Sequence, residues 1–135
     1  MDIKLLQLQA HGDDRGALIA LEQDKNIPFE IKRVYYMFDT KEGVSRGYHA
    51  HKELKQVAIA LRGSCKFILD NGTEREVINL DNPQQGLLID SCIWREMHDF
   101  SSDCVLMVLA NSLYDEGDYI RDYQEFLREV NSNVK

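Results

Sequence analysis

Basic side chains, long apolar runs, paired cysteines and linker-like stretches are all scarce in this sequence, and each scarcity closes off a class of function. The chain carries 16 Lys and Arg against 23 Asp and Glu, a net charge of −7 over 135 residues. A nucleic-acid binder presents a basic stripe, so the expectation is no nucleic-acid partner. An anionic small ligand remains open, because a few arginines inside a cleft can dominate the local field. No apolar run approaches the ~20 residues that cross a bilayer. The opening Met1-Asp2-Ile3-Lys4 lacks the apolar segment of a secretory signal. No membrane association and a cytoplasmic location are expected. Cys65, Cys92 and Cys104 are odd in number and form no Cys-x-x-Cys pair, which suits reduced, mostly buried thiols. No repeat, low-complexity tract or Pro/Gly/Ser linker divides the chain, so residues 1–135 are read as one domain, long enough for a substantial core.

Apolar and polar residues alternate through most of the sequence. The segments 16–22, 31–38, 57–61, 65–70, 73–80, 86–89, 94–100 and 104–110 read as strands. Asn71-Gly72 between two of them is a strong two-residue hairpin signal, because such turns need positive φ. Many short strands with frequent turns predict a mainly β fold, a sandwich or closed antiparallel barrel. After Ala110 the period changes: Tyr119, Tyr123, Phe126, Leu127 and Val130 recur at helical spacing and predict one amphipathic C-terminal helix, ending in a polar Asn131-Ser132-Asn133 tail.

The most informative stretch is Gly47-Tyr48-His49-Ala50-His51, followed by Gln56 and Gly63. Side chains in a strand repeat every two residues, so both imidazoles share a face. They form either a metal chelate or a pair of proton carriers. In the strand containing Arg33, Tyr35 shares that residue's face with Ile31 and Met37. In the strand containing Trp94, Arg95, Met97 and Asp99 share one face, and Glu96, His98 and Phe100 the other. An arginine inside a small β structure is costly unless it meets an anion. Arg95 can pair with an internal carboxylate such as Asp99, or with a ligand's phosphate or carbonyl oxygen, and the sequence leaves both open. Trp94 reads as core, His98 as structural, and His11 as a loop residue without a special role.

The His-x-His spacing resembles the first motif of the cupins, small β-barrels in which a Glu follows four or five residues on and a second motif adds another His. Here Gln56 stands at the Glu position, and counting from Gly86 places Met97 at the second-motif His. An amide and a thioether are poor replacements for carboxylate and imidazole on a divalent metal. The expectation is therefore proton transfer with no metal and no cofactor.

Four longer segments carry a more specific resemblance: residues 27–36 (Ile-Pro-Phe-Glu-Ile-Lys-Arg-Val-Tyr-Tyr), 46–52 (Arg-Gly-Tyr-His-Ala-His-Lys), 96–101 (Glu-Met-His-Asp-Phe-Ser) and 114–123, with Tyr114-Asp115-Glu116 and Asp118-Tyr119-Ile120-Arg121-Asp122-Tyr123. Together they resemble the nucleotide-sugar 3,4-ketoisomerases, cupins that act on dTDP-4-keto-6-deoxyglucose. The resemblance covers almost the whole chain. It implies a jelly-roll barrel with a C-terminal helix and metal-free conversion of the dTDP-linked 4-keto-6-deoxyhexose into its 3-keto isomer. The product would pass to an aminotransferase making 3-amino-3,6-dideoxyhexoses of surface polysaccharides (O-antigen, S-layer). Many members carry His where this chain has Arg95, a position beside the sugar, so the axial or equatorial outcome at C4 stays open.

A 4-keto sugar has an acidified C3–H, and its isomerisation needs a base, a donor for the oxyanion at O4 and a proton returned to C4. His titrates near neutral pH unperturbed. On this reading His49 is the principal acid/base, and His51 the second carrier or the group that polarises the carbonyl. Tyr35 is a hydroxyl donor or relay. Arg33, Arg46 and Lys52 are the expected diphosphate contacts, with Arg95 facing the hexose or diphosphate and Arg15 and Arg121 as further binding residues. Such cupins commonly form homodimers by exchanging N-terminal strands, which would put Arg15 in the partner's site. Rival readings are a metal-dependent cupin, a non-catalytic nucleotide-sugar-binding cupin, and a dTDP-sugar 3,5-epimerase, which also works through enolisation.

Overall fold

The computed structural model describes residues 1–132. In chain order the strands are β1 (Lys4–Gln7), β2 (His11–Asp13), β3 (Gly16–Leu18), β4 (Arg33–Met37), β5 (Arg46–His51), β6 (Gln56–Arg62), β7 (Cys65–Asp70), β8 (Arg75–Leu80), β9 (Gln85–Ile89), β10 (Trp94–His98), β11 (Val105–Ala110) and β12 (Tyr119–Ile120), followed by one helix, α1 (Tyr123–Ser132). They form two five-stranded sheets, β1-β9-β6-β11-β4 and β12-β5-β10-β7-β8, plus the small pair β2-β3. Every ladder between named strands is antiparallel. The fold is thus mainly β with one C-terminal helix, as the alternation predicted. Hydrogen bonding leaves two sheets and does not close them into one barrel.

The core follows from the strand period. Ala58 and Ala60 of β6, Leu87 and Ile89 of β9 and Leu106 and Val108 of β11 meet Phe67 and Leu69 of β7, Leu80 of β8 and Met97 of β10 between the sheets. Strand β6 is buried on both sides. Its odd-numbered residues Val57 and Ile59 face a second cluster with Leu8, Ile27, Phe29 and Leu109. That cluster explains why the expected strand 16–22 stops at Leu18: Ile19 and Leu21 bury their apolar side chains on this outer face without pairing in the sheet. On the other outer face, the helix places Phe126 against Ala50, Trp94 and Ile120. Burying a large apolar side chain contributes roughly 1.5–3 kcal/mol, so this small cluster fixes the helix on the sheet that carries both histidines. Trp94 is core, as expected.

Other expectations need correcting. The β7-β8 hairpin exists, but the ladder closes at Asp70 with Arg75, so residues 71–74 form a four-residue loop and β8 begins two residues later than expected. Asn71 Oδ1 accepts from the Thr73 and Glu74 amides, and Gly72 takes the positive φ; the side chain's own bonds widen the turn. Tyr119 sits in β12 and not in the helix, which begins at Tyr123. Asn131 and Ser132 belong to that helix, while Asn133 lies outside the described residues. His11 is on a short exposed strand and not in a loop. Cys65 and Cys104 are free, buried thiols, and burial pushes Cys65 up to about 12; Cys92 is half-buried.

Candidate active site

A cleft opens between β4 of one sheet and β5 and β10 of the other. The cleft there has a volume of about 510 Å³, and its walls include Arg33, Tyr35, Arg46, His49, Tyr119 and Arg121. Gly47 enters β5 at φ 94° and Tyr48 at φ 59°, and the β5-β10 register shifts between Arg95 and Glu96. An irregularity of this kind re-aims the side chains that follow it. A Cβ on Gly47 would stand 3.0 Å from the Arg95 carbonyl oxygen, so the approach of the two strands requires glycine. Beyond this kink His49 and His51 turn the same way, with ring centroids 5.0 Å apart. Tyr119, paired with His51 in the β5-β12 ladder, packs on both rings at 5.0 and 4.3 Å.

His51 is anchored. Its Nδ1 lies 3.2 Å from Asp118 Oδ2. The same carboxylate accepts the backbone N–H of Glu53 at 2.9 Å and of Leu54 at 3.2 Å. A carboxylate already accepting N–H groups takes a proton bond from Nδ1–H, so the Nε2 lone pair of His51 is the basic one. Burial first, then the charge of Arg95, holds His49 down to about 4 and His51 down to about 2. Both rings are therefore neutral at pH 7 and available as proton acceptors.

Arg95 is 2% exposed and has no carboxylate partner among the described residues. Its guanidinium donates to Gln56 Oε1 and, at 3.1 Å, to the carbonyl of Ile93. Burial lowers it to about 10, still charged at neutral pH. The internal pairing with Asp99 does not form. Asp99 follows β10 at φ 52°, and its exposed carboxylate lies 3.6 Å from the Lys66 ammonium. Gln56 in turn donates from Nε2 to the Tyr35 hydroxyl at 3.0 Å. His98 and Trp94 both bond Glu96, away from the cleft.

The other arginines surround the cleft mouth. Arg33 lies over the rings of Tyr35 and Tyr114, 5.4 and 5.8 Å from their centres. Arg121 is between β12 and α1 and not on the helix. It stacks 4.2 Å from the Tyr119 ring centre and makes two bonds to Glu116, which the arginine holds down to about 2. Lys52 is not brought in: it lies just past the end of β5, is exposed and does not line the cleft. Arg15 is also remote, 89% exposed at the turn of β2-β3 and paired with Asp13. Sequence reasoning missed Gln56 as more than a substituted metal ligand, and it missed Asp118 and Tyr119, which were legible only as parts of a matching segment. Four buried nitrogens lack a hydrogen-bond partner among the described residues: Arg33 Nε, His49 Nδ1, His51 Nε2 and Arg95 Nε. All four belong to this one site. Buried polar groups are nearly always paired, so their concentration here marks a surface built for a polar ligand.

Comparisons with known proteins agree with this chemistry. The family described as "FdtA: WxcM-like, C-terminal" matches residues 1–131. A TDP-4-oxo-6-deoxy-alpha-D-glucose-3,4-oxoisomerase of Aneurinibacillus thermoaerophilus is 54% identical over 130 residues, covering 96% of this chain and 94% of the relative. A 3,4-ketoisomerase from Helicobacter canadensis superposes with a TM-score of 0.94 at 54% identity, covering 97% of this chain and 98% of the other. A histidine-to-asparagine variant of the 3,4-ketoisomerase QdtA from Thermoanaerobacterium thermosaccharolyticum, in complex with TDP-4-keto-6-deoxyglucose, superposes with a TM-score of 0.95 at 42% identity, covering 98% and 96%. Given a family match over nearly its full length and relatives alike in sequence and fold, the chain belongs to the FdtA, WxcM-like family of sugar 3,4-ketoisomerases.

Proposed function

We propose that this protein, as a single cupin-type jelly-roll domain, converts dTDP-4-keto-6-deoxyglucose into the corresponding 3-keto-6-deoxyhexose by metal-free proton transfer. The observation that carries the mechanism is the concentration of unpartnered buried nitrogens around a neutral His pair and a buried Arg. His49 takes the C3 proton as base, and the electron pair moves through the C3–C4 bond to O4. The Tyr35 hydroxyl donates to that oxygen as charge develops, giving an enediol. His51, its Nε2 freed by the Asp118 bond, takes the O3 proton as the C3 carbonyl forms. His49 returns a proton to C4. The His51 proton then returns through solvent to the Tyr35 phenolate, so both residues are restored and no net proton is gained or lost. Arg33, Arg46 and Arg121 bind the diphosphate at the cleft mouth, where arginine makes short, charge-assisted bonds to phosphate. Arg95 holds positive charge behind the hexose.

The enzyme acts in the cytoplasm as a homodimer. Supporting this, the β2-β3 hairpin pairs only with itself among the described residues, and Arg15 at its turn is exposed and does not line the protomer's own cleft. Strand β4 is a sheet edge, and Val34 and Tyr36 on it and Phe38 just after it are exposed, an apolar surface that a partner would cover. Arg15 then completes the partner's site. The test of function is incubation with dTDP-4-keto-6-deoxyglucose and a 3-aminotransferase, followed by NMR of the aminosugar. A 3-amino-3,6-dideoxyhexose supports the reading and reports the C4 configuration. Binding without turnover points to a sensor, and solvent deuterium at C3 and C5 without a 3-keto product points to a 3,5-epimerase.

A further inference from the structure

Gln56 bridges the two sheets at the back of the cleft. It is 3% exposed, lies opposite Ala110 in the β6-β11 ladder, and meets Arg95 from the other sheet. A guanidinium has donors only, so the amide atom it faces must be the oxygen. That contact fixes the orientation of the amide, and the NH2 group then points at the Tyr35 hydroxyl, 3.0 Å away. An amide nitrogen has no lone pair to offer, so the phenol oxygen accepts. The phenol's own proton must point elsewhere. We propose that Gln56 is a positioning residue that aims the Tyr35 hydroxyl proton into the cleft, where it meets the developing O4 oxyanion.

The meeting with the O4 oxyanion rests on the ketoisomerase reading, and the orientation of the phenol proton on hydrogen-bond polarity alone. That polarity also accounts for an amide at this position. A glutamate would pair better with the buried Arg95, since a buried charge is most stable beside its opposite. Yet its second oxygen would accept the Tyr35 proton and withdraw it from the ligand. Burial keeps the Tyr35 phenol above its usual ionisation, so it retains a proton to donate at neutral pH.

Three variants of the full-length protein decide the point: Gln56→Glu, Gln56→Met and Tyr35→Phe. Removing one oxyanion donor typically costs ~10²–10³ in kcat. Gln56→Glu should lose about that much with KM little changed, and no more than Tyr35→Phe does. Combining the two should add no further loss, because both remove the same bond. Gln56→Met should lose less than Gln56→Glu, since nothing competes for the phenol proton. A purely structural role predicts the reverse order, because Glu keeps a partner for Arg95 and Met does not. Without any substrate, the Tyr35 ionisation followed by 13C NMR should rise by about one unit or more in Gln56→Glu, as expected beside a carboxylate. Wild-type kcat in Gln56→Glu, multiplying losses in the double variant, or an unmoved Tyr35 titration would each overturn the proposal. If the wild type turns over no 4-keto sugar, the functional reading fails instead, and the Tyr35 titration still decides the positioning.

Discussion

His49 and Arg95 face each other directly across the β5-β10 ladder. A permanent cation in that position favours the neutral imidazole, and burial favours it more, which together hold His49 down to about 4. Both histidines are thus free bases over the physiological range.

This pairing sets the pH dependence. kcat/KM reports ionisations of the free enzyme, so its acid limb should fall below pH 5 and not near 6.5. A rate profile of kcat/KM between pH 4.5 and 8 checks it, and a midpoint near 6.5 would sink the assignment. Stability follows the same sign. The folded His49 and His51 bind protons less readily than the unfolded chain, whose ordinary value is 6.5. Between the folded and unfolded values the unfolded state holds more protons, so stability falls as pH drops below about 6.5. Urea midpoints at pH 7 and pH 5 should differ in that direction, and less so in His49→Asn.

Replacing His49 with Asn keeps its size and removes the proton carrier. Loss of general acid–base catalysis typically costs ~10²–10⁴ in rate, while the arginines at the cleft mouth remain. The variant should bind the nucleotide sugar nearly as well as wild type and fail to exchange the C3 proton with solvent deuterium. Exchange at the wild-type rate would pass the role of base to His51 or Tyr35.

Catalysis should survive exhaustive chelation. Gln56 is committed on both sides, to Arg95 and to Tyr35, and Met97 is buried in the core. The Arg95 guanidinium adds positive charge beside the His pair, which opposes a divalent cation. Mononuclear catalytic sites usually offer three good ligands, and the described residues contain no group of three or more His, Cys, Asp or Glu placed to hold a metal. Turnover lost in EDTA and restored by one added metal would contradict this.

Asp118→Asn tests the anchor of His51. The amide cannot accept all three donors that the carboxylate now takes, and its NH2 facing the ring would favour the opposite tautomer. We expect a loss of about 1–3 kcal/mol in stability, the usual cost of an unsatisfied buried group. A fall in kcat and a changed His51 tautomer in 15N NMR should accompany it. An unchanged tautomer would limit Asp118 to a structural role.

The chain by itself determined the β class, the C-terminal helix, the same-face histidines and the membership that its four segments implied. These depend on local period and residue identity, which the sequence carries directly. Tertiary structure alone decided the rest. The sequence left Arg95 open to Asp99 or to a ligand oxygen; in the fold the Asp99 carboxylate lies by Lys66, and the guanidinium meets the Gln56 and Ile93 oxygens. Tyr119 fits the helical period, yet pairing with His51 drew it into a strand. Gln56 looked like a lost metal ligand until the opposite sheet brought Arg95 to its oxygen and left its nitrogen for Tyr35. Each of these outcomes depends on which groups from distant parts of the chain meet across the two sheets, and strand period says nothing about contacts between sheets.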